Sequence, residues 1–189
     1  MAESKKKKNG RRAYLDDFQT SVSGEMIYCG AHYAYQGGGG ERKGFLLKIT
    51  ALSAAAAVFS VLSGCVPAPG TLNCFYVLLP LLGSILSAIS VLWAAVRLIS
   101  GGEQLREYVY TATVEAFPMR TALSVGFSGL SILGELLFLL LNGAEGNFFA
   151  PALFLLGQGL CLLCSLLCRK RTSAARWQRL DNNKIKKSG

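Results

Sequence analysis

Phe45-Leu-Leu-Lys-Ile-Thr-Ala-Leu-Ser-Ala-Ala-Ala-Ala-Val-Phe-Ser-Val-Leu-Ser-Gly64 holds a single charge, Lys48, within one turn of its start. A surface helix of a soluble protein sets a polar face against an apolar one. Beyond Lys48 this stretch offers nothing more polar than serine and threonine. As a helix it rises ~1.5 Å per residue, enough to cover the ~30 Å hydrocarbon layer of a bilayer. Three further runs share the pattern: Cys74–Ser100, Thr121–Leu141 and Phe148–Cys168. The expected fold is therefore all-α and integral to a membrane, a four-helix transmembrane bundle.

Outward from these runs, charge orients the chain. All 20 Lys and Arg residues lie in the N-terminal tail, the Ser100–Arg120 loop, the C-terminal tail, or just inside a run on that same side, as Lys48 and Arg97 do. The segments Cys65–Asn73 and Asn142–Asn147 contain neither residue type. Basic residues are retained on the cytoplasmic side of membrane spans. The expectation is two antiparallel hairpins with N- and C-termini in the cytoplasm, in what reads as a bacterial plasma membrane. The net charge of +9 would point to nucleic acid in a soluble protein. Here topology accounts for it, so no nucleic-acid partner is expected. The expected partners are the lipid bilayer, anionic lipid headgroups at the cytoplasmic face, and a second protein or further copies of the chain.

Three domains follow. Residues 1–44 form a cytoplasmic tail with a lysine run at Lys5–Lys8, the acidic pair Asp16 and Asp17, and a glycine tether at 37–40. Within it Glu25–Gln36 shows two short aromatic and aliphatic stretches around Gly30-Ala31, which suit a β-hairpin. Residues 45–168 are the transmembrane domain, with spans 45–64, 74–100, 121–141 and 148–168. Residues 169–189 are a basic cytoplasmic tail ending in Lys186-Lys187-Ser188-Gly189. The loop Gly101–Pro118 reads two ways. Leu105, Val109, Ala112 and Ala116 fall at helical spacing, whereas Tyr108–Val114 is rich in β-formers. It could also supply a third strand to the tail hairpin, since a lone hairpin is marginal in water. An internal parallel repeat is suggested by Thr50-Ala-Leu-Ser53 against Thr121-Ala-Leu-Ser124, and by Leu81-Leu-Gly-Ser-Ile-Leu86 against Leu155-Leu-Gly-Gln-Gly-Leu160.

Few residues can carry chemistry. Glu135 is the one ionisable side chain deep within a run, and placing a carboxylate there costs on the order of a few kcal/mol. Ser124, Ser128, Ser131 and Glu135 recur at i, i+4, i+7 and i+11, so they share one helix face that must look inward. Gln158, central in the last run, is the expected partner that Glu135 clasps across the bundle. The competing reading makes Glu135 a proton or cation site. Gly83, Ser87, Ser90 and Ala94, and likewise Gly157, Cys161, Cys164 and Cys168, form small-residue stripes for close packing. Cys65 and Cys74 bracket an outer loop short enough to be closed by a disulfide. Cys29 and His32 fit a packed turn. No phosphate loop, metal cluster or hydrolase elbow is present in the sequence, so no catalytic residue, no metal and no cofactor is expected. The function expected is that of a non-enzymatic membrane subunit or scaffold docking a partner protein. The alternative is a small oligomeric proton- or cation-coupled transporter using Glu135.

Overall fold

The computed structural model describes residues 18–20, 26–28, 30–143 and 148–180. The lysine run, Asp16 and Asp17, Cys29 and the terminal lysines lie outside the described residues. Four helices are long and apolar enough to cross a membrane. They are α1 (Gly39–Cys65), α3 (Phe75–Ser100), α5 (Phe117–Asn142) and α6 (Phe149–Ala174). A five-residue helix, α2 (Pro69–Asn73), lies between α1 and α3 and opens on a proline, whose fixed φ suits a first turn. Before α5 come α4 (Glu107–Tyr110) and a π-helical turn, Thr111–Glu115.

The long helices pack in a ring, α1 on α3, α3 on α5, α5 on α6 and α6 on α1. Small side chains and buried serines fill the middle, while leucines such as Leu86, Leu133 and Leu140 stand out from the surface. An outer surface that apolar suits hydrocarbon rather than water. Three glycines set the closeness of the helices. A Cβ on Gly134 would stand 2.9 Å from the Tyr76 carbonyl oxygen, and one on Gly83 would stand 2.6 Å from the Phe127 ring. A Cβ on Gly157 would collide with the Ser63 hydroxyl. The Tyr76 carbonyl is special because Pro80, four residues on and inside α3, has no N–H to give it.

One end of the ring is closed by a sheet. Strand β3 (His32–Tyr35) lies between β4 (Gln104–Arg106) and β5 (Trp177–Leu180), antiparallel to both. Tyr33 stands opposite Leu105 and Arg179, and Tyr35 opposite Trp177. Alternation along a strand puts Tyr33 and Tyr35 on one face. That face packs on the helix ends through Phe45, Leu46 and Leu98, with Leu105 fully buried. Tyr33 stacks on Tyr110 with centroids 3.9 Å apart, and Trp177 meets Tyr35 and Tyr110 edge-on at 5.6 and 6.0 Å. Because β3 feeds α1, α3 feeds β4 and α6 feeds β5, α1 leaves the sheet while α3 and α6 return to it.

The sheet corrects the expected hairpin and tether, and decides between the readings of the loop. The hairpin over Glu25–Gln36 is not formed as such: its two stretches belong to different sheets. β2 (Met26–Tyr28) pairs with β1 (Phe18–Thr20), whereas β3 takes β4 and β5. The long-range partners win because they let Tyr33 and Tyr35 bury against Trp177 and the helix ends, which a two-stranded ribbon cannot offer. The glycine tether is half helix, since α1 starts at Gly39 and Arg42 reaches the Gly102 carbonyl. In the loop, the β-former stretch Tyr108–Val114 is helical, and Tyr110 and Val114, four apart, both face the cap core. The strand falls just before it. Finally, the basic tail is not featureless: α6 runs through Arg169–Arg171 to Ala174, and Trp177–Leu180 completes the sheet.

Candidate functional site

Hydroxyl groups on successive turns of α1, α3 and α5 meet α6 at the centre of the ring. The Ser84 hydroxyl lies 2.9 Å from that of Ser60, 3.0 Å from that of Ser128 and 3.1 Å from Gln158 Oε1. An amide oxygen only accepts, so Ser84 donates to Gln158. Its single proton is thereby committed. All four side chains are fully buried. Ser128 also has Cys161 Sγ at 3.4 Å. Each helix thus contributes one member to a closed polar layer. Hydrogen bonds of this kind average only ~0.6 kcal/mol in a bilayer, so the layer fixes helix register more than it adds stability.

Toward the sheet, a second level joins Ser124 to Ser165 at 2.9 Å and Ser53 to Cys168 Sγ at 3.5 Å. Arg120 closes this end, its guanidinium donating to the Ser90 carbonyl and hydroxyl at 3.1 and 3.0 Å and to the Ala112 carbonyl. The pairs Ser124–Ser165 and Ser128–Cys161 fix the antiparallel register of α5 on α6. Three residues further along α5, that register sets Ser131 level with Gln158.

Away from the sheet the hydrogen bonding stops. Among the described residues the Ser131 hydroxyl and the Gln158 side-chain nitrogen are buried with no hydrogen-bond partner, and the buried Glu135 carboxyl has no side-chain partner, only the backbone N–H of Gly70 turned toward it. Glu135 is fully buried, beside Gly134 at the α3 contact, and its carboxyl presses on Gly70 of α2 so closely that a Cβ there would overlap it. A Cβ on Gly70 or Gly134 would come 3.2 or 3.3 Å from Val77 Cγ2, and Val77 belongs with Ala68, Leu81 and Phe154 to one apolar cluster. Seven residues, roughly 10 Å of helix, separate Glu135 from the end of α5 at Asn142.

The five polar residues read from the sequence all point inward, as their spacing implies. They do not form one site. Ser124 and Ser128 belong to paired levels, Gln158 gives its oxygen to Ser84 instead of to Glu135, Ser131 stands unpartnered, and Glu135 has no side-chain partner. Sequence reasoning missed Ser60, Ser84, Ser53, Ser165 and Arg120 as contributors. The signal for the serines is spacing again: Ser53 and Ser60, seven apart, share a face of α1. Cys65 and Cys74 are free thiols, since α2 is inserted between the end of α1 and the start of α3 rather than a tight closed turn. Among the described residues, no three His, Cys, Asp or Glu side chains are grouped to hold a metal. The chain matches no protein-family model, no curated protein and no solved structure.

Proposed function

We propose that the chain is a small multi-pass membrane protein acting as a non-enzymatic subunit or scaffold that docks a partner protein or another copy of itself. In this reading the four apolar helices form a transmembrane bundle of two antiparallel hairpins. The sheet end and both termini lie in the cytoplasm, and the membrane is a bacterial plasma membrane. The ring order supports an internal duplication, because a two-fold axis along the membrane normal would carry α1 onto α5 and α3 onto α6. The observation that carries the docking reading is the sheet itself. Three segments separated by more than sixty residues of sequence converge on one aromatic-cored platform, and such a built surface offers a partner far more than flexible loops would.

A photo-crosslinking residue in place of exposed Gln178 on β5 is expected to give one discrete adduct above the 20.3 kDa monomer in native membranes. Tyr33→Ala, which empties the aromatic core, is expected to abolish it. Absence of an adduct at Gln178 and Gln104 alike would sink the docking reading. Sidedness is tested separately in a cysteine-free background. Asn142→Cys is expected to react with an impermeant thiol reagent in intact cells, and Ser188→Cys only after lysis, because the basic segments orient the hairpins. Labelling at Ser188 in unbroken cells would invert the topology.

A second reading has its own observation. Glu135, sealed under Gly70 with Ser131 and the Gln158 amide nitrogen unpartnered, has the makings of a proton or cation site in a small transporter.

A further inference from the structure

At the basic end a cleft of about 440 Å³ opens between the last turn of α3, β4 and α4. Arg97, Ser100, Gln104, Arg106 and Tyr108 line it. The lining carries two guanidinium groups, two hydroxyls and an amide, and no carboxylate. Arginine offers forked N–H donors that match phosphate oxygens two at a time. The cleft therefore presents donors of the kind a phosphate group takes, and no carboxylate among its lining side chains. The backbone at the end of α3 presents carbonyls, not N–H groups, so side chains alone would hold the anion.

What continues from the cleft decides the source of that phosphate. Leu86, Ile89, Trp93 and Arg97 follow one another at helical spacing along α3, and the first three are 70%, 48% and 65% exposed. An apolar stripe thus runs down the lipid-facing side of α3 from the foot of a cationic cleft. A soluble phosphate ester would use only the cleft; an amphiphile would use both. We propose that this cleft binds the phosphate of an anionic phospholipid, with an acyl chain lying along Leu86, Ile89 and Trp93. The inference rests on the membrane reading above, since it sets the cleft at headgroup depth. It names a specific site where charge counting gives only a general attraction.

Trp93 is a built-in reporter once the second tryptophan is removed as Trp177→Phe. The full chain, reconstituted in vesicles, is titrated with brominated phosphatidylglycerol or brominated phosphatidylcholine, and quenching of Trp93 is read. Each nearby cationic side chain adds attraction for an anionic lipid, so roughly tenfold tighter association of phosphatidylglycerol is expected. Arg97→Gln with Arg106→Gln is expected to bring the ratio to about one, and the paired lysine variant to keep most of it. Equal quenching by the two lipids, or a preference that survives the glutamine pair, overturns the proposal. So does full reversal of the preference by inorganic phosphate at constant ionic strength, which would make the site one for a soluble anion. Co-flotation of the protein with vesicles tests membrane insertion independently, so failure of insertion is told apart from failure of the site.

Discussion

Gly134→Leu is expected to cost the fold about 3 kcal/mol or more, at the upper end of what overpacking does. The argument is geometric. Even a Cβ at this position would lie 2.9 Å from the Tyr76 carbonyl oxygen and 3.3 Å from Val77 Cγ2, and the first of these is backbone that no rotamer change can move. The three further carbons of leucine would drive α3 and α5 apart along the most extensive contact of the ring. Between helices in lipid, close backbone approach is itself the main source of attraction, so separation removes the stabilisation it would need to survive. Gly134→Ala should fall between. Gly126 and Gly159 are the controls: they too are helical, but a Cβ there meets nothing within 4 Å. Leucine at either should be neutral or gain up to about 1 kcal/mol, since glycine is the poorer helix former. Thermal unfolding in a fixed detergent, followed by loss of the monodisperse peak, measures all four. A Gly134→Leu protein that melts with the wild type would mean that α3 and α5 do not pack as described.

The apolar runs and their inward faces were legible because one physical rule, the cost of polar groups in hydrocarbon, acts on every residue of a span at once. Ser124, Ser128, Ser131 and Glu135 lie inside for that reason, and spacing alone reveals it. Partner choice is another matter. Nothing in the sequence says that Gln158 meets Ser84 before Glu135; that follows from the relative heights of the helices, with Gly157 seating α6 against Phe59 and Ser63 of α1. The cap was read least well. Its strands are three or four residues long and pair across gaps of more than sixty residues, so no local pattern announces them. Trp177 was the available signal. A tryptophan within a basic tail has a large apolar surface to bury, and it finds Tyr35 and Tyr110 across the sheet. The β-formers of Tyr108–Val114 left that stretch open between helix and strand, because the contact that holds Tyr110 in a helix is made with Tyr33, far away in sequence.

Glu135→Leu is expected to stabilise the fold by about 1 kcal/mol, the reverse of what the clasp between Glu135 and Gln158 implies. Removing one half of a hydrogen-bonded pair is costly, but replacing a buried polar group that has no side-chain partner by an apolar one of similar size removes a desolvation penalty. Leucine is shorter than glutamate and gives up only the approach of the Gly70 backbone N–H to the carboxyl. Glu135→Gln keeps a buried polar group and should melt with the wild type. The same two variants settle what the carboxyl is for. Vesicles loaded with a pH-sensitive dye and given a membrane potential report proton entry. If the bundle is a scaffold, wild type and Glu135→Gln should both match protein-free vesicles. If Glu135 carries protons, the wild type should show a pH-dependent flux that glutamine abolishes, since an amide cannot release a proton at any accessible pH. Flux lost in a Glu135→Gln protein that is still folded and inserted would replace the scaffold with a transporter. A leucine variant that melts lower than wild type would instead show that the carboxyl does have a side-chain partner and that the clasp is real.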